Sequence, residues 1–193
     1  EDSLEPLLDM AATLKATQLN IIAQVMPRSP EAAVPIVERW LDLAKQYPFP
    51  VLMETHRNST LNDLFYTLDV LEKVPQLRLC ADLSHFVVDR ELSLPLSAID
   101  HQYFNDIIHR SDSFQGRISS NQQVQIAIEF EQHAPWVTQY LTWWEDGFRA
   151  WSERSEANDT LRFLVELGPP PYAITNEHQR ELSDRWAEGL LIR

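Results

Sequence analysis

The feature that most constrains the fold of this chain is an alternation of strand-length apolar runs with amphipathic helical stretches. Each helical stretch spaces its apolar residues three or four positions apart, so one face can pack against a sheet. Such alternation is typical of the strand–helix units that build a parallel sheet. The predicted strands are 19–25, 51–54, 77–81, 105–109 and 161–165. The predicted helices lie around 4–14, 34–44, 61–71, 135–155 and beyond Asn176. Ser59 or Thr60 is the predicted cap of the helix at 61–71, and Asp63 completes a capping box with Thr60.

A parallel sheet can stay open and doubly wound, or it can close into a (β/α) barrel. A Gly-rich phosphate-binding turn would favour the open sheet, and this sequence contains none. Five strand–helix units are visible, whereas a complete eight-stranded barrel needs roughly 250 residues. We therefore predict a single α/β domain over residues 1–193, a partial TIM barrel without its first strand–helix units.

Composition excludes several classes of partner. The formal net charge is −13 and no run of basic residues occurs, which argues against nucleic acid. No apolar segment of the sequence is long enough to span a bilayer. Cys80 is the one cysteine, so no intrachain disulfide can form. These features predict a cytoplasmic protein, and the start at Glu1 without an initiator Met predicts a fragment or a processed chain.

Four predicted strands end in a side chain that can bind a metal ion. In a parallel barrel these ends meet on one rim, where active sites are built. A carboxylate that directly follows an apolar run is half-buried, which is costly unless a cation or a proton compensates its charge. A solvated turn is the alternative at each position taken alone. The four residues are Glu54, Asp82, His109 and Glu166, a mostly oxygen set that favours Mn²⁺, Mg²⁺ or Co²⁺ over structural zinc.

The same segments carry a resemblance to a known family. Five segments together resemble the xylose-isomerase-like TIM barrels. They are Glu54-Thr-His-Arg57, Val74–Arg78, Ala81-Asp-Leu-Ser-His-Phe86, Ile107-Ile-His109 and Glu166-Leu-Gly-Pro-Pro-Pro-Tyr172. More narrowly, they resemble the sugar phosphate isomerase/epimerase family, over roughly residues 4 to 192. The resemblance implies a divalent Mn, Mg, Co or Zn ion held by Glu54, Asp82, His109 and Glu166. It also implies substrate contacts from His85, and His56 is a further candidate. Many relatives carry an arginine that contacts substrate, and Arg110, Arg117 or neither of them takes its place here.

The predicted chemistry is isomerisation or epimerisation of a small sugar-like substrate. The metal would polarise a carbonyl group, and Glu54 or Glu166 would remove the neighbouring proton while the other carboxyl group returns one. A dehydratase or lyase passing through the same enediolate stays open. A barrel that binds a carbohydrate or partner without turnover also stays open, whereas the acidic charge disfavours a metal-dependent endonuclease. The Trp-rich helix 135–155 leaves a homo-oligomer open.

Overall fold

The computed structural model describes residues 4–168 and Tyr172, so the helix predicted beyond Asn176 lies outside the described residues. Within these residues the protein is an α/β protein with a five-stranded sheet whose strands follow one another in chain order. The strands are β1 (Leu19–Ile21), β2 (Val51–Glu54), β3 (Leu79–Ala81), β4 (Ser111–Gly116) and β5 (Arg162–Val165).

Six α-helices separate or precede these strands within the described residues, and a short 3₁₀ helix, Glu131–His133, precedes the last of them. The backbone divides into two compact units, residues 1–80 and residues 81–193. The helices are α1 (Leu4–Thr13), α2 (Pro30–Ala44), α3 (Leu64–Lys73), α4 (Leu83–Asp89), α5 (Ala98–His109) and α6 (Ala134–Arg154).

The first unit confirms the predicted strand–helix alternation. β1 pairs with β2 in parallel, and β2 pairs in parallel with β3. The apolar face of α2 buries Val37 and Trp40, as the helical spacing predicts, and it also buries Ala33. β1 stops at Ile21 instead of Val25, because the backbone beyond it turns to other partners: the Thr60 hydroxyl donates to the carbonyl oxygens of residues 23 and 25.

The start of α3 differs from the predicted cap at Ser59 or Thr60. Asp63 is the N-cap residue, and its carboxylate accepts a hydrogen bond from the backbone N–H of Tyr66 at 2.7 Å. The Ser59 hydroxyl donates instead to the carbonyl oxygen of His56. An N-cap carboxylate satisfies a backbone donor that has no partner inside the helix, and its negative charge favours the positive end of the helix dipole.

Asp63→Ala is expected to lower the free energy of unfolding by about 1 kcal/mol, since the first turn of α3 loses its cap. Urea denaturation followed by circular dichroism measures this loss. Asp69→Ala is the matched control, because Asp69 is exposed in the middle of the same helix and alanine is the better helix former there. Equal destabilisation by both changes would contradict the capping role.

The second unit is built around β4, β5, α5 and α6. β4 and β5 are parallel, with Gly116 opposite Val165 at their carboxyl ends. The predicted aromatic helix is confirmed as α6, and its buried aromatic residues lie in the core. Trp143 stacks on Phe104 of α5 with ring centroids 4.5 Å apart. Gly147 lets α6 pack closely on β4, because a Cβ there would collide with the Phe114 ring.

The sequence prediction for the second unit is wrong in two places. The segment 105–109 is not a strand; it forms the end of α5 and buries Ile107 and Ile108 against the core. The predicted strands also omit residues 111–116, which form β4. His109 therefore ends a helix and does not follow a strand.

Candidate active site

The parallel pairing of β4 with β5 brings two charged side chains together. Gly116 and Val165 are partners in register, so the next residues, Arg117 and Glu166, leave the same edge of the ladder side by side. The backbone N–H of Glu166 donates to the carbonyl oxygen of Gly116 at 3.3 Å, which extends the pairing by one step. A Cβ on Gly116 would lie 2.6 Å from the Phe163 ring, so this close approach requires glycine.

Arg117 is the centre of the resulting cluster. Its residue surface is only 1% exposed, although it carries a permanent charge. Nε donates to Asp82 Oδ2 at 3.1 Å, Nη1 lies 3.5 Å from Gln125 Oε1, and Nη2 donates to Glu166 Oε1. The guanidinium carbon also lies 4.3 Å from the centroid of the Tyr172 ring, in cation–π geometry. The plane of the guanidinium is thus fixed by its surroundings.

Asp82 is fully buried, and both of its carboxylate oxygens have close partners. It follows β3 and caps α4: Oδ1 accepts from the backbone N–H of Ser84 at 3.0 Å and from the Ser84 hydroxyl. Oδ2 accepts from Arg117 and lies 3.3 Å from His85 Nε2. Burial alone would raise the pKa of Asp82, but His85, Arg117 and Ser84 outweigh it and lower this pKa to about 2.

Glu166 lies in a different electrostatic environment. Burial, and then the negative charge of Asp82, raise the pKa of Glu166, and Arg117 and His85 offset only part of that rise. Oε1 accepts from Arg117. Oε2 is buried and has no hydrogen-bond donor among the described residues. An ionised oxygen in that position is costly, so a proton or a ligand that donates to it is favoured.

The loop that follows β4 places a neutral side chain, that of Gln125, beside Arg117. The N–H of Ile126 donates to the carbonyl oxygen of Ile118, so that Gln125 lies beside Arg117. The Gln125 amide also forms two 3.0 Å hydrogen bonds with the backbone of Gly168. Gln125 therefore ties the segment that follows Glu166 to the segment that holds Arg117.

The structure brings together four of the predicted site residues: Asp82, His85, Arg117 and Glu166. Of the other predicted residues, Glu54 and His56 belong to the first unit, and His109 and Arg110 lie at the end of α5 in the second. Glu54 ends β2 in the first unit and is 5% exposed. His56 follows it, half-buried, with Nδ1 2.5 Å from the carbonyl oxygen of Arg57.

The segment around His109 does not supply the strand-end ligand that its sequence suggested. His109 is exposed in the last turn of α5, and Arg110 is the residue that caps this helix end. Of the two candidate arginines, Arg117 is the one that contacts Asp82 and Glu166.

The donor set of the described residues does not fit the predicted divalent ion. No group of three or more His, Cys, Asp or Glu side chains in this part of the chain is arranged to hold a metal. Two of the four predicted ligands, Asp82 and Glu166, instead face one guanidinium. An ionised carboxylate has about four acceptor positions. Three donor atoms from Ser84 and Arg117 already bond to that of Asp82, and His85 Nε2 lies 3.3 Å from it.

Sequence reasoning did not identify Ser84, Gln125 or Tyr172 as parts of the site. Ser84 lies inside the Asp-x-x-His segment, where an Asp followed by a Ser two residues later is a readable helix-cap pattern. Gln125 and Tyr172 reach Arg117 through loop conformation and carry no such pattern.

Comparison with known proteins bears on the fold. No protein-family model matches the chain, and no curated protein matches it. A solved structure does: that of the probable 3-DHS dehydratase AsbF of Bacillus anthracis, described as involved in petrobactin synthesis, at 18% sequence identity and a TM-score of 0.52. This likeness supports the predicted fold class, an α/β protein of the TIM-barrel type. The match covers 86% of this chain and 63% of AsbF, so the chain spans less than two thirds of that protein's length.

Membrane-spanning segments are absent from the helices that the structure describes. Among these residues, none of the helices is both long and apolar enough to pass through a bilayer.

Proposed function

We propose that this protein is an enzyme that moves a proton at the carbon next to a carbonyl group of a small, sugar-like substrate. The observation that carries the proposal is the state of Glu166: one carboxylate oxygen is held by Arg117, and the other is buried without a donor among the described residues. The raised pKa of this carboxyl group brings it closer to the range in which a general acid or base works well near neutral pH.

The neighbouring side chains supply the rest of the reaction. Glu166 Oε2 takes the proton as the C–H bond breaks, and the electron pair of that bond forms the carbon–carbon double bond of an enediolate. The negative charge then lies on the former carbonyl oxygen, next to Arg117, whose N–H groups can donate to it. Asp82 keeps Arg117 in place, and its own low pKa leaves it ionised throughout.

Return of the proton decides the product. Glu166 can return it to the neighbouring carbon while the hydroxyl proton of the enediolate moves to the former carbonyl oxygen, which isomerises the sugar. Epimerisation instead needs a second group that returns a proton to the same carbon from the opposite face. Glu54, the other carboxyl group that the sequence predicts for catalysis, is buried at the end of β2 in the first unit, and its role stays a prediction. We therefore propose a sugar isomerase or epimerase.

One observation favours dehydration as the second candidate. AsbF, the protein with the similar fold, is described as a probable 3-DHS dehydratase. Loss of a hydroxyl group from the carbon beyond the enediolate would give an unsaturated carbonyl compound and water, after the same first proton transfer to Glu166.

Exchange of substrate C–H protons with D₂O tests the proposal. The protein is incubated with a panel of aldoses, ketoses and hydroxylated cyclic ketones, and proton NMR follows loss of the C–H signal next to the carbonyl. An isomerase or epimerase is expected to incorporate deuterium and form a second sugar, whereas a dehydratase gives a new ultraviolet absorption. Binding of a sugar with every C–H signal preserved would identify a binding protein and refute the proposed catalysis.

A further inference from the structure

We propose that Arg117 is the resident cation of this site: its guanidinium holds the place between Asp82 and Glu166 that a divalent metal ion was expected to take. Arg117 contacts both carboxylates from two different nitrogens, Nε and Nη2. The site therefore carries its positive charge on the chain itself. The catalytic part of this inference rests on the proposed function, but the metal-binding part does not.

Charge and burial support this assignment. Asp82 is fully buried and Arg117 is 1% exposed. Removing one partner of such a pair leaves an uncompensated buried charge, which is strongly destabilising. A metal ion bound by Asp82 would have to displace Arg117 or a Ser84 donor, and a displaced guanidinium would lie close to a second positive charge.

The guanidinium is also held in one orientation. Gln125 lies beside Nη1, and the Tyr172 ring lies against the face of the cation. Three of its five N–H groups are directed to Asp82, Gln125 and Glu166, one from each nitrogen. The second N–H on each terminal nitrogen is the donor that we assign to substrate.

This arrangement defines the class of ligand. A guanidinium with one further N–H on each of two nitrogens matches a planar pair of oxygens, such as a carboxylate or an enediolate. We infer that the substrate presents two adjacent oxygens to Arg117, and that Arg117 stabilises the charge that develops on them without a metal ion.

The first experiment measures metal binding and needs no substrate. Wild-type protein and the Asp82→Asn variant are incubated with Mn²⁺, desalted and analysed for metal by mass spectrometry. We expect no Mn²⁺ retention that depends on Asp82, so the two proteins should give equal values. Stoichiometric Mn²⁺ in the wild type that the Asp82→Asn variant loses would overturn the inference, whether or not any substrate is found.

The second experiment measures turnover after exhaustive chelation. Wild-type kcat/KM is expected to stay unchanged, and Arg117→Met to reduce kcat about 100-fold, the effect of removing an oxyanion donor. Arg149→Met is the control, since Arg149 is 60% exposed on α6. Partial recovery of an Arg117→Ala variant by added guanidinium ion separates a chemical role from a structural one. Wild-type activity that chelation removes and Mn²⁺ restores would contradict the inference, even if no Arg117 variant folds.

Discussion

Glu166→Gln is expected to reduce kcat by a factor of about 10² to 10⁴, the range that a positioned general acid or base contributes. The amide has almost the same shape as the carboxyl group, but it cannot accept the substrate proton. The change removes the one buried carboxylate oxygen in the cluster that lacks a donor among the described residues. Substrate exchange in D₂O, which reports proton abstraction directly, is the measurement.

The matched control is Glu153→Gln, since Glu153 is an exposed glutamate on α6 in the same unit. It should leave both turnover and deuterium exchange unchanged. Circular dichroism and the melting temperature of each variant separate a catalytic loss from unfolding. A Glu166→Gln variant that folds and exchanges at the wild-type rate would remove Glu166 from the mechanism.

The pH dependence of the wild type follows from the same carboxyl group. As a base, Glu166 must be ionised, and burial raises its pKa above the ordinary value of 4.5. The acidic limb of kcat/KM is therefore expected to lie at higher pH than that of an ordinary glutamate, with activity rising as pH rises through the shifted pKa. If the apparent pKa of the acidic limb of kcat/KM were at or below the ordinary 4.5, another residue would be the base.

Sequence periodicity was sufficient for elements whose burial pattern is regular. β2, β5, α2 and α6 lie close to their predicted positions. They are either short apolar runs or helices with one apolar face, and each pattern has one structural interpretation. The carboxylates that follow β3 and β5 could be located for the same reason, since a charge directly after a buried run marks the strand end.

The wrong prediction of a strand at 105–109, where α5 ends, has a cause in the sequence. Ile107 and Ile108 are β-branched neighbours, and such a pair favours a strand in a short window. The stronger signal lay ten residues earlier: Ser97 caps the helix by accepting from the backbone N–H of Asp100, and its hydroxyl donates to the Asp100 carboxylate. This is a capping pattern that starts a helix at residue 98. The two isoleucines are buried because the helix packs on the core.

β4 was not predicted because its buried residues are mostly polar. Ser111, Ser113 and Gln115 are each at most 5% exposed, whereas a parallel strand is usually marked by an apolar run. The Ser113 hydroxyl donates to the carbonyl oxygen of Arg162 on β5, so it has a partner that only the folded sheet provides. Without β4 the position of Arg117 beside Glu166 could not be derived.

Asp82→Ala is expected to lower the free energy of unfolding by about 3 to 5 kcal/mol. The loss is large because Arg117 stays buried. Among the described residues, Glu166 is then the one carboxylate left beside its charge, and the pKa of Glu166 is raised. Chemical denaturation at neutral pH measures it. Asp146→Ala, which removes a partly exposed ion pair with Arg149, should cost no more than about 1 kcal/mol.

A double-mutant cycle separates the ion pair from the rest of the environment of Asp82. Arg117→Met combined with Asp82→Ala should cost less than the sum of the single changes, since the double variant buries neither charge. Strict additivity would mean that the two side chains do not interact, and it would remove the basis for assigning Arg117 as the cation of the site.

Acid provides a second test, with a definite sign. The folded-state pKa of Asp82 is lowered from an ordinary 3.8 to about 2, so its ionisation adds stability above about pH 4 that is lost as pH falls towards 2. This lowering of the pKa corresponds to about 2 kcal/mol of folding free energy. The difference in free energy of unfolding between wild type and Asp82→Ala should therefore decrease by about 2 kcal/mol as pH falls from about 4 towards 2. A difference that stayed constant down to about pH 2 would mean that the carboxylate gains nothing from Arg117, His85 and Ser84, and the cluster would then lack the electrostatic coupling on which a metal-free site depends.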